Sequence, residues 1–292
     1  MVNKFDNNMN WYKGNIHTHT KKSDGFVSPE QCIEIYKEKG YDFISITDHR
    51  KFYPDYKEDN FLVISGSEFH VNDFDARKAY HIVGLGIENE IYTDDTFSPQ
   101  EIINEINRQN GLAILAHPYW SLLTHDDLTD LVDYAGIEIW NTVSEVYSAR
   151  GLSVDYLDVL ASKGVVKLAF AVDDTHFYQR DLGGGYIMVN SPTLDKRSII
   201  SAIKEGRFYC SQGPEIKQIH IEDNMLTVET SPVSKICFMT GLFYCSDRVH
   251  MSHDGSLISK ASYEIKPDDL FVRIECEDEQ GRKAWSQILN FN

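Results

Sequence analysis

Apolar residues in the first two thirds of the chain come in short runs, with helix-spaced stretches between several of them. Segments 14–17, 42–47, 61–65, 81–86, 112–116, 136–140, 165–172 and 185–189 read as strands. Their near-continuous apolarity is the pattern of strands covered on both faces. Ser28-Pro29-Glu30-Gln31 and Ser98-Pro99-Gln100-Glu101 each announce a helix. In both, a serine caps the first free N–H groups, a proline takes the first helical position and a Gln or Glu at the third completes a capping box. Gly111 suits the end of the second helix, and a third is expected over 153–163, closed by Gly164. This β–α alternation, from about Trp11 to Pro214, predicts a parallel barrel or an open α/β sheet.

After Gly213-Pro214 the pattern changes. Segments 216–221, 225–230, 234–239 and 270–275 read as strands, separated by turn-like Asp-Asn, Ser-Pro and Pro-Asp pairs, and helical spacing disappears. Two regions are therefore expected: an α/β region over 1–213 and a small all-β, sandwich-like region over 214–292. A chain of 292 residues is long enough for both.

Composition narrows the setting. With 42% apolar and 25% charged residues the chain has the balance of a soluble globular protein. No run approaches the roughly 18 apolar residues a membrane span requires. The first ten residues are polar and lack the apolar centre of a signal peptide, so a cytoplasmic location and no membrane partner are expected. Cys32, Cys210, Cys237, Cys245 and Cys276 are odd in number and form no C-x-x-C pair, which leaves them as small buried hydrophobes. A net charge of −17 argues against gripping duplex nucleic acid. It allows a small phosphorylated partner, because divalent cations reverse the local charge of a carboxylate-lined site. Oligomeric state is not legible.

The placement of the histidines carries the chemistry. His17 and His19 form an H-x-H pair after an apolar strand, and in extended backbone residues two apart point the same way. Asp48 and His49, then Glu68, His117, and Asp174 with His176 each follow another apolar run. Functional groups of parallel barrels gather at such strand ends. His81 differs in opening its strand. Taken singly, each of these residues could equally cap a helix or pair with a neighbouring charge; their recurrence at matching positions points to one cluster. His70, His125, His220, His250 and His253 stand outside this pattern, and Asp126, Asp127 and Asp173 read as local pairs or caps.

The series His17-x-His19-Thr20, Ser23-Asp24-Gly25, Ile46-Thr47-Asp48-His49, Glu68, His81-Ile82-Val83-Gly84-Leu85-Gly86, Ala116-His117-Pro118 and Asp174-Thr175-His176 resembles the PHP (polymerase and histidinol phosphatase) family, in order, over residues 14–212. The resemblance implies a distorted, seven-stranded β/α barrel holding two or three divalent metals (Zn, Mn or Fe). It also implies the ligand set His17, His19, Asp24, His49, Glu68, His81, His117, Asp174 and His176, with Glu68 bridging two ions. His81 and His117 would complete the second ion's shell, Asp174 would join His17 and His19 on the first, and Asp24, His49 and His176 would form a third site or meet the substrate. Asp173-Asp174-Thr175-His176 departs from the family's usual Gly-Ser-Asp-x-His, and Asp174 is the match that keeps the D-x-H spacing. The segment 202–214 and the tail through Ala284-Trp285-Ser286 look like those of stand-alone members.

The activity this implies is that of a metal-dependent phosphoesterase: in-line attack by a metal-activated hydroxide, with Glu68 at the reacting centre and Asp48 or His176 protonating the leaving group. Arg50, Lys78 and Arg180 are candidate phosphate contacts, and Tyr119 and Trp120 candidate stacking surfaces for a base. The expected substrate is a nucleotide or short oligonucleotide phosphate. Alternatives are a sugar or amino-alcohol phosphate, a metal-dependent amidohydrolase, and a non-catalytic metal-binding module. An amidohydrolase commonly bridges its ions with a modified lysine, whereas here Glu68 occupies the end of a central strand and no lysine does.

Overall fold

In the computed structural model, which describes residues 2–244 and 246–291, two helices begin where the start signals lie. Pro29–Glu38 and Pro99–Arg108 each carry a complete capping box, on Ser28 with Gln31 and on Ser98 with Glu101. The second buries Ile102, Ile103 and Ile106, one face of the helix, against the core. The third expected helix runs Val154–Ser162, but Ser153 does not cap it; its hydroxyl accepts from the Tyr119 N–H instead. Three further helices, His125–Thr129, Thr142–Ser148 and Lys196–Lys204, were not expected. Cys32, Cys210, Cys237 and Cys276 are buried free thiols, and Cys245 lies outside the described residues. No helix among the described residues is long and apolar enough to cross a membrane.

The expected parallel order holds in two places and fails between them. Asn10–Asn15, Phe43–Ser45 and Phe61–Ile64 pair in parallel, as do Leu112–Leu115, Gly136–Asn141 and Leu168–Val172. Between these sets, Gly66–Asp73 and Lys78–Leu85 form an antiparallel hairpin whose second strand pairs antiparallel with Leu112–Leu115. His81 therefore lies inside a strand, opposite His70, and does not open one. Only Ser65 separates Phe61–Ile64 from Gly66–Asp73, and Gly66 makes the passage possible: a Cβ there would lie 2.3 Å from Ser45 Oγ.

The expected seven-stranded barrel does not form a continuous ladder among the described residues. Its strands belong to two sheets, of five and eleven strands, with isolated bridges His49–Glu68 and Thr18–Thr175 between them. Pairing lapses there because the chain leaves extended geometry to present side chains; Asp174, just past Leu168–Val172, has φ 53°. The architecture is a mixed α/β fold.

Beyond Pro214 the described residues contain strands and no helix. The eleven-stranded sheet runs on without a break from Phe208–Ser211 into Lys283–Ser286, Phe271–Glu277 and Lys235–Thr240. A four-stranded antiparallel sheet of Val2–Asn3, Ile216–Glu222, Met225–Val233 and Ile258–Glu264 faces this extension. Ile219, Leu226, Val228, Phe238, Tyr263 and Ile274 fill the space between.

Candidate metal centre

Where the two sheets meet, side chains from five segments converge on Glu68. This residue is 1% exposed, and its two oxygens face five imidazoles. Oε1 is 2.9 Å from His81 Nδ1, 3.4 Å from His17 Nε2 and 3.6 Å from His117 Nε2. Oε2 is 2.9 Å from His49 Nδ1 and 3.2 Å from His19 Nε2. Asp174 closes the inner side, its Oδ1 lying 3.1 Å from His17 Nε2 and 3.0 Å from His19 Nε2. Asp24, half exposed on the outer side, faces His19, His49 and His176 at 3.4–3.5 Å. All nine residues of the expected ligand set are thus brought together.

The donor set fits cations. Three groups each offer ligand atoms within 4.8 Å of one another: His17, His19 and Glu68; His49, Glu68 and His81; and His19, Asp24, His49 and His176. Asp174 Oδ1 is buried beside two imidazole nitrogens yet has hydrogen-bond geometry with neither. His49 Nδ1 is likewise buried without a hydrogen bond. Inward-facing lone pairs without donors are what a cation satisfies and a self-contained polar network does not. Imidazole and carboxylate suit zinc, manganese or iron alike.

Charge follows from the same geometry. Burial would raise the Glu68 carboxyl, but His17, His81 and His49 outweigh it and hold Glu68 well below the usual carboxylate range. For His17, burial opposes protonation, and Asp174, Glu138 and Glu68 override it to push the imidazole well above its ordinary value. His49 is carried up to about 9, with Glu68 and Asp24 overcoming burial. The carboxylates are therefore ionised at neutral pH, and metal loading must displace protons from these imidazoles.

A supporting layer escaped the sequence reading. Glu138, 1% exposed, binds His17 Nδ1 at 2.6 Å and accepts from the His117 N–H at 3.0 Å. Asn141 donates to both Glu138 and Asp174, at 2.9 and 3.0 Å. His117 Nδ1 meets Ser121 Oγ at 3.1 Å, and His176 Nδ1–H donates to the Asp174 carbonyl at 2.8 Å. The contacts to His17, His117 and His176 Nδ1 each occupy one ring nitrogen and so present the other to the centre. The signal was available: Glu138 is a carboxylate inside an otherwise apolar strand, Gly136–Asn141.

Other expected participants lie elsewhere. Asp48 is buried and accepts from the Thr20 N–H and from the Thr20 and Ser23 hydroxyls at 2.6–2.7 Å, fixing the loop that carries His19 and Asp24. It does not line the cavity of about 360 Å³ over the cluster, whereas His176 does. Arg50, Lys78, Tyr119 and Arg180 do not line it either. Arg50 is held by the His70 carbonyl and Asp95, Lys78 by Asp127, and Tyr119 lies near the Arg150 guanidinium, while Arg180 is exposed. Position near a ligand in sequence did not predict direction in space. Trp120 does reach the cavity, as do Ser144, Tyr147 and Phe177, which the sequence reading had not singled out.

Known proteins share this frame. Residues 15–135 match the PHP domain. An uncharacterized protein of Methanocaldococcus jannaschii is 30% identical over 148 residues, which is 44% of this chain and 81% of that protein. A two-domain protein of Bacteroides vulgatus, described as containing a predicted PHP-like metal-dependent phosphoesterase, superposes with a TM-score of 0.53. That likeness spans 98% of this chain and 96% of the other at 14% identity, and so concerns the fold. An amidohydrolase of Chromobacterium violaceum aligns over 67% of this chain and 96% of its own, at 15% identity and a TM-score of 0.46, a looser likeness. With its histidines and carboxylates gathered on the matched frame, the chain belongs to the PHP domain family.

Proposed function

We propose that the chain is a metal-dependent phosphoesterase that hydrolyses a phosphate ester, with a nucleotide or short oligonucleotide as its substrate. The observation that carries this reading is Glu68, one buried carboxylate facing five imidazoles. His17, His19 and Asp174 would hold one ion and His81 and His117 a second, with Glu68 between them, while Asp24, His49 and His176 offer a third position. Ions held there supply Lewis-acid polarisation of phosphoryl oxygens and activation of water near neutral pH.

The chain's own residues do the rest. Glu138, on His17 Nδ1, keeps Nε2 turned inward, and Asn141 fixes the Asp174 carboxylate from behind. His17, His19 and Glu68 are almost fully buried, so bulk water does not compete at the inner side. Of the two candidate acids, His176 lines the cavity and Asp48 does not, so with no ion in the third position a proton on His176 Nε2 would be the one placed to reach a leaving oxygen. Among the described residues no lysine lines the cavity to form the bridge common in amidohydrolases.

The test is a Glu68→Gln variant beside the wild type, with bound metal counted and activity measured on phosphomonoesters, phosphodiesters and amides. The wild type should hold more than one transition-metal ion and release phosphate. The variant should lose at least one ion and about a hundredfold or more in activity while staying folded. Amide hydrolysis without phosphate release would refute the reading.

A further inference from the structure

The cavity at the metal centre has a second wall that no ligand role explains, built by Trp120, Val143, Ser144, Tyr147 and Phe177. The Trp120 ring stands edge-on to His117 and His81, with centroids 4.9 and 5.6 Å away. The Tyr147 and Phe177 rings are 4.8 Å apart, and Phe26 packs edge-on against Phe177 at 5.0 Å. These rings stay in water to an unusual degree: Trp120 is 40% exposed, Tyr147 53% and Phe26 60%. Aromatic surface gathered at the mouth of a site marks a place that something apolar covers. No lysine or arginine lies among the lining residues, and Asp24, Glu68 and Asp174 stand opposite.

We infer that Trp120, Tyr147 and Phe177 determine specificity for the alcohol half of the ester, which carries a flat, uncharged ring and no second phosphate or carboxylate. The inference rests on the phosphoester reading above and narrows it. Ring faces stack on bases and aryl groups without needing charge. A second anion on this side would lose water, find no lysine or arginine, and face carboxylates. The phosphate goes to the metal side, and the ring goes to the aromatic side. A cavity of about 360 Å³ is at the small end for ligand sites, with room for one such group.

The experiment compares kcat/KM of the metal-loaded full chain for adenosine 5′-monophosphate, adenosine 3′,5′-bisphosphate and ribose 5-phosphate. The monophosphate should be preferred over each of the others by about tenfold or more. Tyr147→Ala and Trp120→Ala should each cut the preference over ribose 5-phosphate about fivefold, and Tyr147→Phe should restore it. A ratio of this kind is insensitive to the fraction of folded, metal-loaded protein. Equal or better turnover of ribose 5-phosphate or of the bisphosphate, or a preference untouched by both alanine variants, would overturn the inference while leaving the phosphoester reading intact. If metal-loaded wild type releases phosphate from none of the three nor from any other ester, the underlying reading fails and this one falls with it.

Discussion

His17 shows how one residue is shaped for a ligand role. Its Nδ1 faces Glu138 at 2.6 Å, so its other nitrogen is committed to the centre. Glu138→Gln keeps an acceptor of the same shape but removes the charge that makes the imidazole a stronger base. Metal affinity, followed by competition with a coloured chelator, should fall about 10–100-fold, and an unchanged affinity would show that the contact only packs. His49 gives a pH signature. In chelator-stripped protein its imidazole is raised to about 9, so its bound proton stabilises the fold fully below its ordinary value of about 6.5. That contribution fades as pH rises from there toward 9, and the stripped protein should lose thermal stability across this window. The metal-loaded protein, whose imidazoles no longer carry those protons, should not; parallel melting curves for the two forms would contradict the assignment. Most of the candidate ligands were legible because they recur after apolar runs, whereas Asp24 and His81 do not follow one and were indicated only by the family resemblance. Of the supporting residues, Glu138 left one signal, a lone carboxylate in an apolar strand, with no partner at a telling spacing to give it a role, and Asn141 is recognised only by what it touches.

At the scale of the element, the passage from Phe61–Ile64 into Gly66–Asp73 sets where Glu68 stands. An alanine at Gly66 would put a methyl group 2.3 Å from Ser45 Oγ and 3.0 Å from Thr47 Cγ2. Gly66→Ala should therefore cost about 1–3 kcal/mol in urea unfolding and lower bound metal, because Glu68 is two residues along the same strand. Ser45→Ala in the same chain removes the nearest atom and should recover part of both; no recovery would mean that the backbone, not this contact, bears the strain. Such a passage is hard to read, since within 61–71 only Ser65, Ser67, Glu68 and His70 are polar and Gly66 is the one residue that signals a change of direction. Helices followed the same rule. Those with Ser-Pro starts were visible, whereas Thr142–Ser148 springs directly from a strand, opens on Thr and Val, and takes its cap from Asn141, which also serves the metal centre. Lys196–Lys204 was readable in principle, because Asp195 accepts from the Ser198 N–H as a cap should. Strand Ile258–Glu264 was hidden by its mainly exposed, polar positions.

Across the whole molecule, the C-terminal strands are tied to the α/β part by charge as well as by the shared sheet. Arg273, on Phe271–Glu277, is 1% exposed and meets Asp158 of helix Val154–Ser162 through two hydrogen bonds of 2.8 Å, with Glu275 at 3.2 Å. A buried guanidinium is tolerated only while its partners remain, and removing one typically costs about 3–5 kcal/mol. Asp158 is itself partly exposed, so solvent screening brings the cost below that range: Asp158→Ala should destabilise the chain by about 2–3 kcal/mol. Because the hydrogen bonds of Asp158 and Arg273 involve none of the candidate metal ligands, the metal content of the folded variant should be unchanged. Arg273→Met on the same background should recover part of the loss, since the stranded charge is what costs most, although Glu275 retains Lys283 and the Trp285 indole N–H as partners. Urea unfolding of the four proteins gives the coupling energy directly. A coupling near zero would leave the two parts tied by backbone pairing and packing alone: the unbroken sheet from Phe208–Ser211 into Lys283–Ser286, the Gln287 bonds to Ala169, and the apolar contacts of Phe271, Trp285 and Ile288. A coupling of about 2 kcal/mol or more would mean that helix Val154–Ser162, which packs on the strand carrying Glu138, is braced from its outer side by the C-terminal region.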